Sequence, residues 1–144
     1  MVAAIMTTDL LLTDAPQPTD HDAIVAGLIA FNRAATGRSD GRPLAVLIRD
    51  AEGATIGGLW GWTGLDWLHV ELLYVPDDLR GTGTGRDFMQ RAEVEARARG
   101  CRGIWLDTFS FQARGFYEKL GFEAFGQIDD YPAGHQRFFM RKRF

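Results

Sequence analysis

Val75-Pro76-Asp77-Asp78-Leu79-Arg80-Gly81-Thr82-Gly83-Thr84-Gly85-Arg86 sets three alternating glycines between an apolar run and a long amphipathic one. Residues without a Cβ let the backbone turn tightly and approach a ligand closely. If a helix begins at this turn, the amides of Gly81 to Gly85 are free at its positive end. That combination is an anion site, and pyrophosphate is its usual guest. Arg80 and Arg86 flank the loop and can neutralise charge. Rival phosphate motifs fail. A dinucleotide fingerprint needs Gly where Arg86 stands, and a P-loop needs a Lys that follows none of these glycines.

On the N-terminal side, Asp66 to Val75 reads as a strand. Alternation places Leu68, Val70, Leu72 and Tyr74 on one face and Trp67, His69, Glu71, Leu73 and Val75 on the other. On the C-terminal side, Gly83 to Arg99 reads as a helix. Glu93–Arg97 and Glu95–Arg99 are its i,i+4 pairs, and Gly100 stops it. Gly103 to Thr108 is a strand and Gln112 to Leu120 a second helix ending at Gly121. Phe122–Phe125 and Arg137–Met140 are closing strands. Strand, loop, helix, strand is an α/β order with a parallel, right-handed crossover.

Further upstream, Asp9 to Thr13 reads as a short strand. Thr19 or Asp20 caps a helix carrying Ile24, Val25, Leu28, Ile29 and Phe31. Pro43–Ile48 and Thr55–Trp62 form a hairpin around Asp50-Ala51-Glu52-Gly53, with a bulge expected at Gly57-Gly58. Trp60 and Trp62 share a strand face and are expected to pack in the core.

The chain has 144 residues, 46% hydrophobic and 24% charged, which suits one soluble domain over residues 1–144. A net charge of −3 argues against nucleic acid as a partner. No apolar run approaches the ~20 residues of a membrane helix, and Met1 to Leu12 lacks the positive start of a secretory signal, so a cytoplasmic location is expected. One cysteine, Cys101, and three scattered histidines give no metal site.

Arg80-Gly81-Thr82-Gly83-Thr84-Gly85 resembles the acetyl-CoA pyrophosphate loop of the GNAT (GCN5-related) N-acetyltransferases, whose pattern is [RQ]-x-x-G-x-[GA]. Ala113-Arg114-Gly115-Phe116-Tyr117-Glu118-Lys119-Leu120-Gly121-Phe122 resembles the A-x-x-[LF]-Y-x-x-x-G-F segment of the same family. The resemblance implies an α+β fold, a three-layer α/β/α sandwich. Its mixed, twisted sheet would have about six to seven strands with helices on both faces. It implies an N-acetyltransferase that uses acetyl-CoA, with no metal, and passes the acetyl group directly to a primary amine of a small molecule. A homodimer is possible by the same analogy.

Residue by residue, the resemblance puts the pyrophosphate on Arg80, Gly81, Thr82, Gly83, Thr84, Gly85 and Arg86. The pantetheine arm runs along Leu73, Tyr74 and Val75, where a backbone amide faces the thioester oxygen. Tyr117 stands where the family's tyrosine protonates the leaving thiolate. Ser110 occupies the place of a pantetheine-binding Asn, and Gln112 is its rival. At pH 7 only about one alkyl amine in a thousand is uncharged, so a base is needed. Counting back eleven residues from Arg80 gives His69, and Glu71 lies two residues on. Asp129 to His135, with two aspartates, is a candidate wall of the acceptor pocket. The same loop would also serve a non-catalytic acyl-CoA-binding module, or a domain binding another phosphate.

Overall fold

The computed structural model describes residues 8–144, which form two compact units dividing between Ser39 and Asp40. In the first, residues 8–17 form no strand, contrary to the expectation for Asp9–Thr13: a strand needs a partner for its backbone groups, and none pairs there. Helix α1 (Pro18–Thr36) begins two residues earlier than expected. Gln17 is its N-cap and Pro18 opens the first turn, a position where the missing N–H costs nothing. Asp20 lies inside the helix, its carboxylate accepting the Gln17 amide at 2.8 Å. Gly37, in the left-handed region at φ 71°, closes the helix.

The second unit runs β1 (Arg42–Arg49), β2 (Thr55–Gly64), β3 (Trp67–Tyr74), a 3-10 turn (Asp77–Leu79), α2 (Thr84–Ala98), β4 (Gly103–Phe109), α3 (Arg114–Lys119), β5 (Glu123–Asp129) and β6 (Gln136–Arg143). The six strands form one sheet in the order β1-β2-β3-β4-β6-β5. Only β3 and β4 are parallel, and α2 is their crossover. Both expected helix pairs form, with Arg97 at 3.0 Å from Glu93 and Arg99 at 2.9 Å from Glu95. Among the described residues, no helix is long and apolar enough to cross a membrane.

Helix α2 buries Phe88, Met89, Ala92 and Ala96 against the sheet. The two alanines let the helix lie close to Leu59, Leu68, Ile104 and Met140, which are fully buried. Tyr117 and Phe122, from α3 and the start of its return, join the same core. Lys142 of β6 reaches Glu93 of α2 at 2.9 Å, tying helix to sheet. Trp60 and Trp62 are not core residues. Their neighbours Leu59, Gly61 and Thr63 face inward, and both tryptophans stay about two-fifths exposed, at 41% and 43%.

Two irregularities in register differ from simple alternation. In β1–β2 the ladder jumps from Ile48↔Gly57 to Arg49↔Thr55, leaving Ile56 as the extra residue, just before the expected glycine pair. In β2–β3 it jumps from Gly61↔Val70 to Trp60↔Leu72, leaving Glu71 unpaired. Gly61 is needed there, because a Cβ would run into the carbonyl oxygen of His69. A bulge shifts every later side chain to the opposite face. Leu73 and Val75 therefore pack on the core with Leu68 and Val70, while Leu72 and Tyr74 turn outward at 66% and 54% exposure. This reverses the predicted faces beyond Glu71.

Candidate active site

The parallel ladder of β3 and β4 is short, from Trp67↔Gly103 to Val70↔Leu106. Beyond it β3 stays with β2 as far as Tyr74, and β4 stays with β6 as far as Phe109. The strands separate where the bulge bends β3. A cleft of about 970 Å³ fills the gap. One wall is β3 from Val70 to Val75, and the other is β4 from Leu106 to Phe109. The glycine loop closes one end, α3 contributes Phe116 and Tyr117, and β6 contributes Arg137.

The loop is held by its own side chains. The Arg80 Nε donates to the Val75 carbonyl at 3.1 Å, and Nη1 pairs with Asp77 at 3.1 Å. The Thr82 hydroxyl donates to the Leu79 carbonyl and lies 2.8 Å from the Thr84 hydroxyl. Gly81 and Gly83 sit at φ 75° and 86°, where other residues are strained. Gly83 caps α2, so the amides of the first turn, from Thr84, have no acceptor inside the helix. Gly81, Gly83, Thr84, Gly85, Arg80 and Arg86 all line the cleft, whereas Thr82 does not. Arg80 braces the loop, and Arg86 is in no ion pair among the described residues.

Tyr117 is buried at 7% exposure, edge-on to Phe116 and Phe122. Its hydroxyl makes no hydrogen bond among the described residues. Burial, reinforced by the nearby charge of Asp107, pushes its pKa up to about 12. The phenol is therefore protonated throughout the neutral range.

Of the two candidate bases, Glu71 lies on the cleft and His69 does not. His69 precedes the bulge and faces away from Leu68 and Val70. It stacks flat on Trp105, its partner across the ladder, at 3.7 Å and 5°. Its Nε2 is buried without a partner, and burial lowers its pKa despite the carboxylates of Glu71 and Asp107. Gln112 lines the cleft while its Oε1 accepts the Phe109 amide at 2.9 Å. Ser110 is turned elsewhere. Its hydroxyl is 3.0 Å from His135 Nδ1 and accepts the Gln136 amide at 3.1 Å, fastening the start of β6.

Sequence reasoning missed Asp107, Phe109 and Arg137, which also line the cleft. Asp107 and Arg137 form an ion pair at 2.7 Å. Asp129 and Asp130 do not line the cleft, and Asp129 accepts a bond from the Gln127 amide group at 2.6 Å. The useful residue of that loop is Tyr131, whose hydroxyl accepts Arg137 Nη1 at 3.1 Å.

The sequence matches the acetyltransferase (GNAT) family over residues 7–122. The chain belongs to this family. The acetyltransferase is 38% identical, over 94% of its length and 99% of the relative's, to the acetyltransferase Atu2258 of Agrobacterium fabrum. It is 42% identical to the blasticidin-S acetyltransferase of Streptomyces morookaense, over 66% of its own length and 73% of the relative's. A solved structure from Agrobacterium tumefaciens has a TM-score of 0.89 at 37% identity, covering 95% of this chain and all of the other. The six-stranded mixed sheet with its helices is thus the α+β sandwich of the family. Tyr131 and Arg137 lie beyond the matched residues.

Proposed function

We propose that this acetyltransferase takes the acetyl group from acetyl-CoA and passes it directly to a primary amine of a small molecule. The observation that carries the reading is the cleft itself, which joins a glycine-rich helix N-terminus to Tyr117 and Glu71 through the opening of the β3–β4 ladder. The loop amides and Arg86 hold the pyrophosphate. Beyond Val70 the β4-side edge of β3 has no strand partner among the described residues, so the backbone of Leu73, Tyr74 and Val75 is available to an extended pantetheine arm. An amide on that edge polarises the thioester carbonyl, a type of contact worth a few kcal/mol, typically about 3. Gln112 is the side chain best placed to add a contact.

The amine attacks the carbonyl carbon, the N–C bond forms and the C–S bond breaks. Glu71, directly or through water, accepts the proton that the ammonium must lose. Tyr117 donates a hydrogen bond to the departing sulfur. A phenol near 12 is a weaker acid than a thiol near ~8.5, so Tyr117 stabilises the thiolate chiefly by that bond, while outright proton transfer runs uphill. The relative from Streptomyces morookaense is named for blasticidin-S, a small molecule, which supports a small acceptor over a peptide.

The test is thiol release from acetyl-CoA against a panel of amines, beside calorimetric acetyl-CoA binding on the same sample. Binding with amine-dependent release is expected. Acetyl-CoA that fails to bind would overturn the assignment of the Gly81–Gly85 loop, and the rest of the reading with it.

A further inference from the structure

One part of the cleft lining is built around Arg137. Its Nε donates to Asp107 Oδ1 at 2.7 Å and its Nη1 to the Tyr131 hydroxyl at 3.1 Å. Its guanidinium lies 5.1 Å from the Phe109 ring centre and 5.2 Å from that of Tyr131. Three residues from β4 and the β5–β6 turn thus hold one planar cation in place. Its Nη2 has no hydrogen-bond partner among the described residues, and the side chain keeps 27% exposure on the cleft. A purely structural cation would be used up by its partners. This one is oriented by them and keeps N–H groups in hand, both of those on Nη2 among them.

Glu71 lies on the same cleft, where the bulge puts it. It is exposed and forms no ion pair among the described residues. Its carboxylate suits an ammonium, and the unbonded Nη2 of a held guanidinium suits a carboxylate. The two stand on strands either side of β4 and line one cleft, so opposite charges face the same space from its two sides. Resting on the reading above that this cleft acetylates an amine, we propose that the acceptor is a zwitterion. Its ammonium faces Glu71 and its carboxylate is received by Arg137, as in an amino acid. The transfer is otherwise unchanged: the N–C bond forms, the C–S bond breaks, the ammonium proton leaves and the carboxylate is retained in the product. Arg137 is then a residue of acceptor specificity, and it lies outside the stretch that defines the family.

The experiment compares amino acids with the amines that remain when their carboxylate is removed: phenylalanine with phenethylamine, leucine with isopentylamine, β-alanine with ethylamine. Thiol release from acetyl-CoA gives kcat/KM for each. In at least one pair the carboxylated acceptor should be favoured by about tenfold to a hundredfold, the usual weight of a charge-assisted hydrogen bond. Arg137→Gln should bring that ratio close to one. Arg137→Lys keeps a charge beside Asp107 and covers the case in which the neutral variant fails to fold; it should lower the ratio about tenfold, because the fork is lost. Calorimetric acetyl-CoA binding reports that each variant is folded. If amines are acetylated but the carboxylate confers no advantage in any pair, or if the ratio survives both substitutions, the inference falls and the amine-transfer reading stands. If acetyl-CoA binds and no amine of either series releases thiol, that reading falls and takes the inference with it.

Discussion

Replacing Tyr117 by Phe removes one oxygen and keeps the ring that packs against Phe116 and Phe122 at 5.0 and 5.8 Å. The hydroxyl has no partner among the described residues, so its loss strands no buried group. Stability at neutral pH should move by less than about 1 kcal/mol. The chemistry should respond differently. A hydrogen bond to a sulfur acquiring charge is worth about 1.5–3 kcal/mol, so kcat should fall roughly tenfold to 150-fold. Acetyl-CoA affinity should hold, because the bond strengthens only as the thiolate forms. The substitution also has a signature at alkaline pH. Burial first, and Asp107 second, raise the phenol from 10.0 to about 12 in the folded protein. The unfolded chain releases that proton at lower pH, so the phenol's contribution is complete below pH 10 and is lost as pH climbs toward about 12. The loss amounts to about 3 kcal/mol. Urea midpoints measured at pH 9 and pH 11.5 should show this decline in the native protein and less of it in Tyr117→Phe. Unchanged kcat would remove Tyr117 from the transition state. Equal alkaline declines would mean that its phenol is not buried as described.

Gly83→Val forces a β-branched residue to φ 86° at the cap of α2 and should weaken acetyl-CoA binding by at least tenfold in calorimetry; undiminished affinity would reject the loop as the pyrophosphate site. Glu71→Gln should cost about 10²–10⁴ in kcat, with acetyl-CoA affinity retained, if this carboxylate takes the ammonium proton. A fall of less than threefold would assign that proton to water alone. His69→Phe preserves an aromatic ring against Trp105 and removes a nitrogen that has no partner. The acid limb of the pH–kcat/KM profile should stay where it is, and a displaced limb would return His69 to the chemistry.

The glycine loop of the candidate site is legible in the sequence because its requirements are local. A loop that must present amides at a helix start needs glycines close together, and Gly81, Gly83 and Gly85 stand at alternate positions of one short segment. The crossover helix was equally plain, since Glu93–Arg97, Glu95–Arg99 and Gly100 are all signals within one or two turns. The bulge at Glu71 is not written in β3 at all. Its cause stands on the neighbouring strand, where Gly61 leaves room against the His69 carbonyl, and only the register discloses it. For that reason alternation gave the wrong face for Leu72, Leu73, Tyr74 and Val75. It also placed His69 and Glu71 together, when only Glu71 reaches the cleft. The position of Ser110 in the motif does not say where its hydroxyl points, which depends on what competes for it, and here the Gln136 amide and His135 do.

The Asp107–Arg137 pair is illegible in the sequence for a further reason. Asp107 and Arg137 are thirty residues apart in the chain and meet because β4 and β6 are neighbours in the sheet. Neither has a spacing that marks it, and an Arg on a closing strand reads as a solvated charge until its partners are known. The same physics explains why the two ends differ in kind. A pyrophosphate is met by backbone amides, which any sequence supplies once the turn is possible, so the donor site is a property of the fold. An acceptor is met by side chains on separate strands, joined through bulges and pairings. In this chain that places a free carboxylate on β3 and an oriented guanidinium on β6, either side of the strand that carries Asp107, and one substitution at Arg137 can alter what is acetylated while leaving how it is acetylated in place.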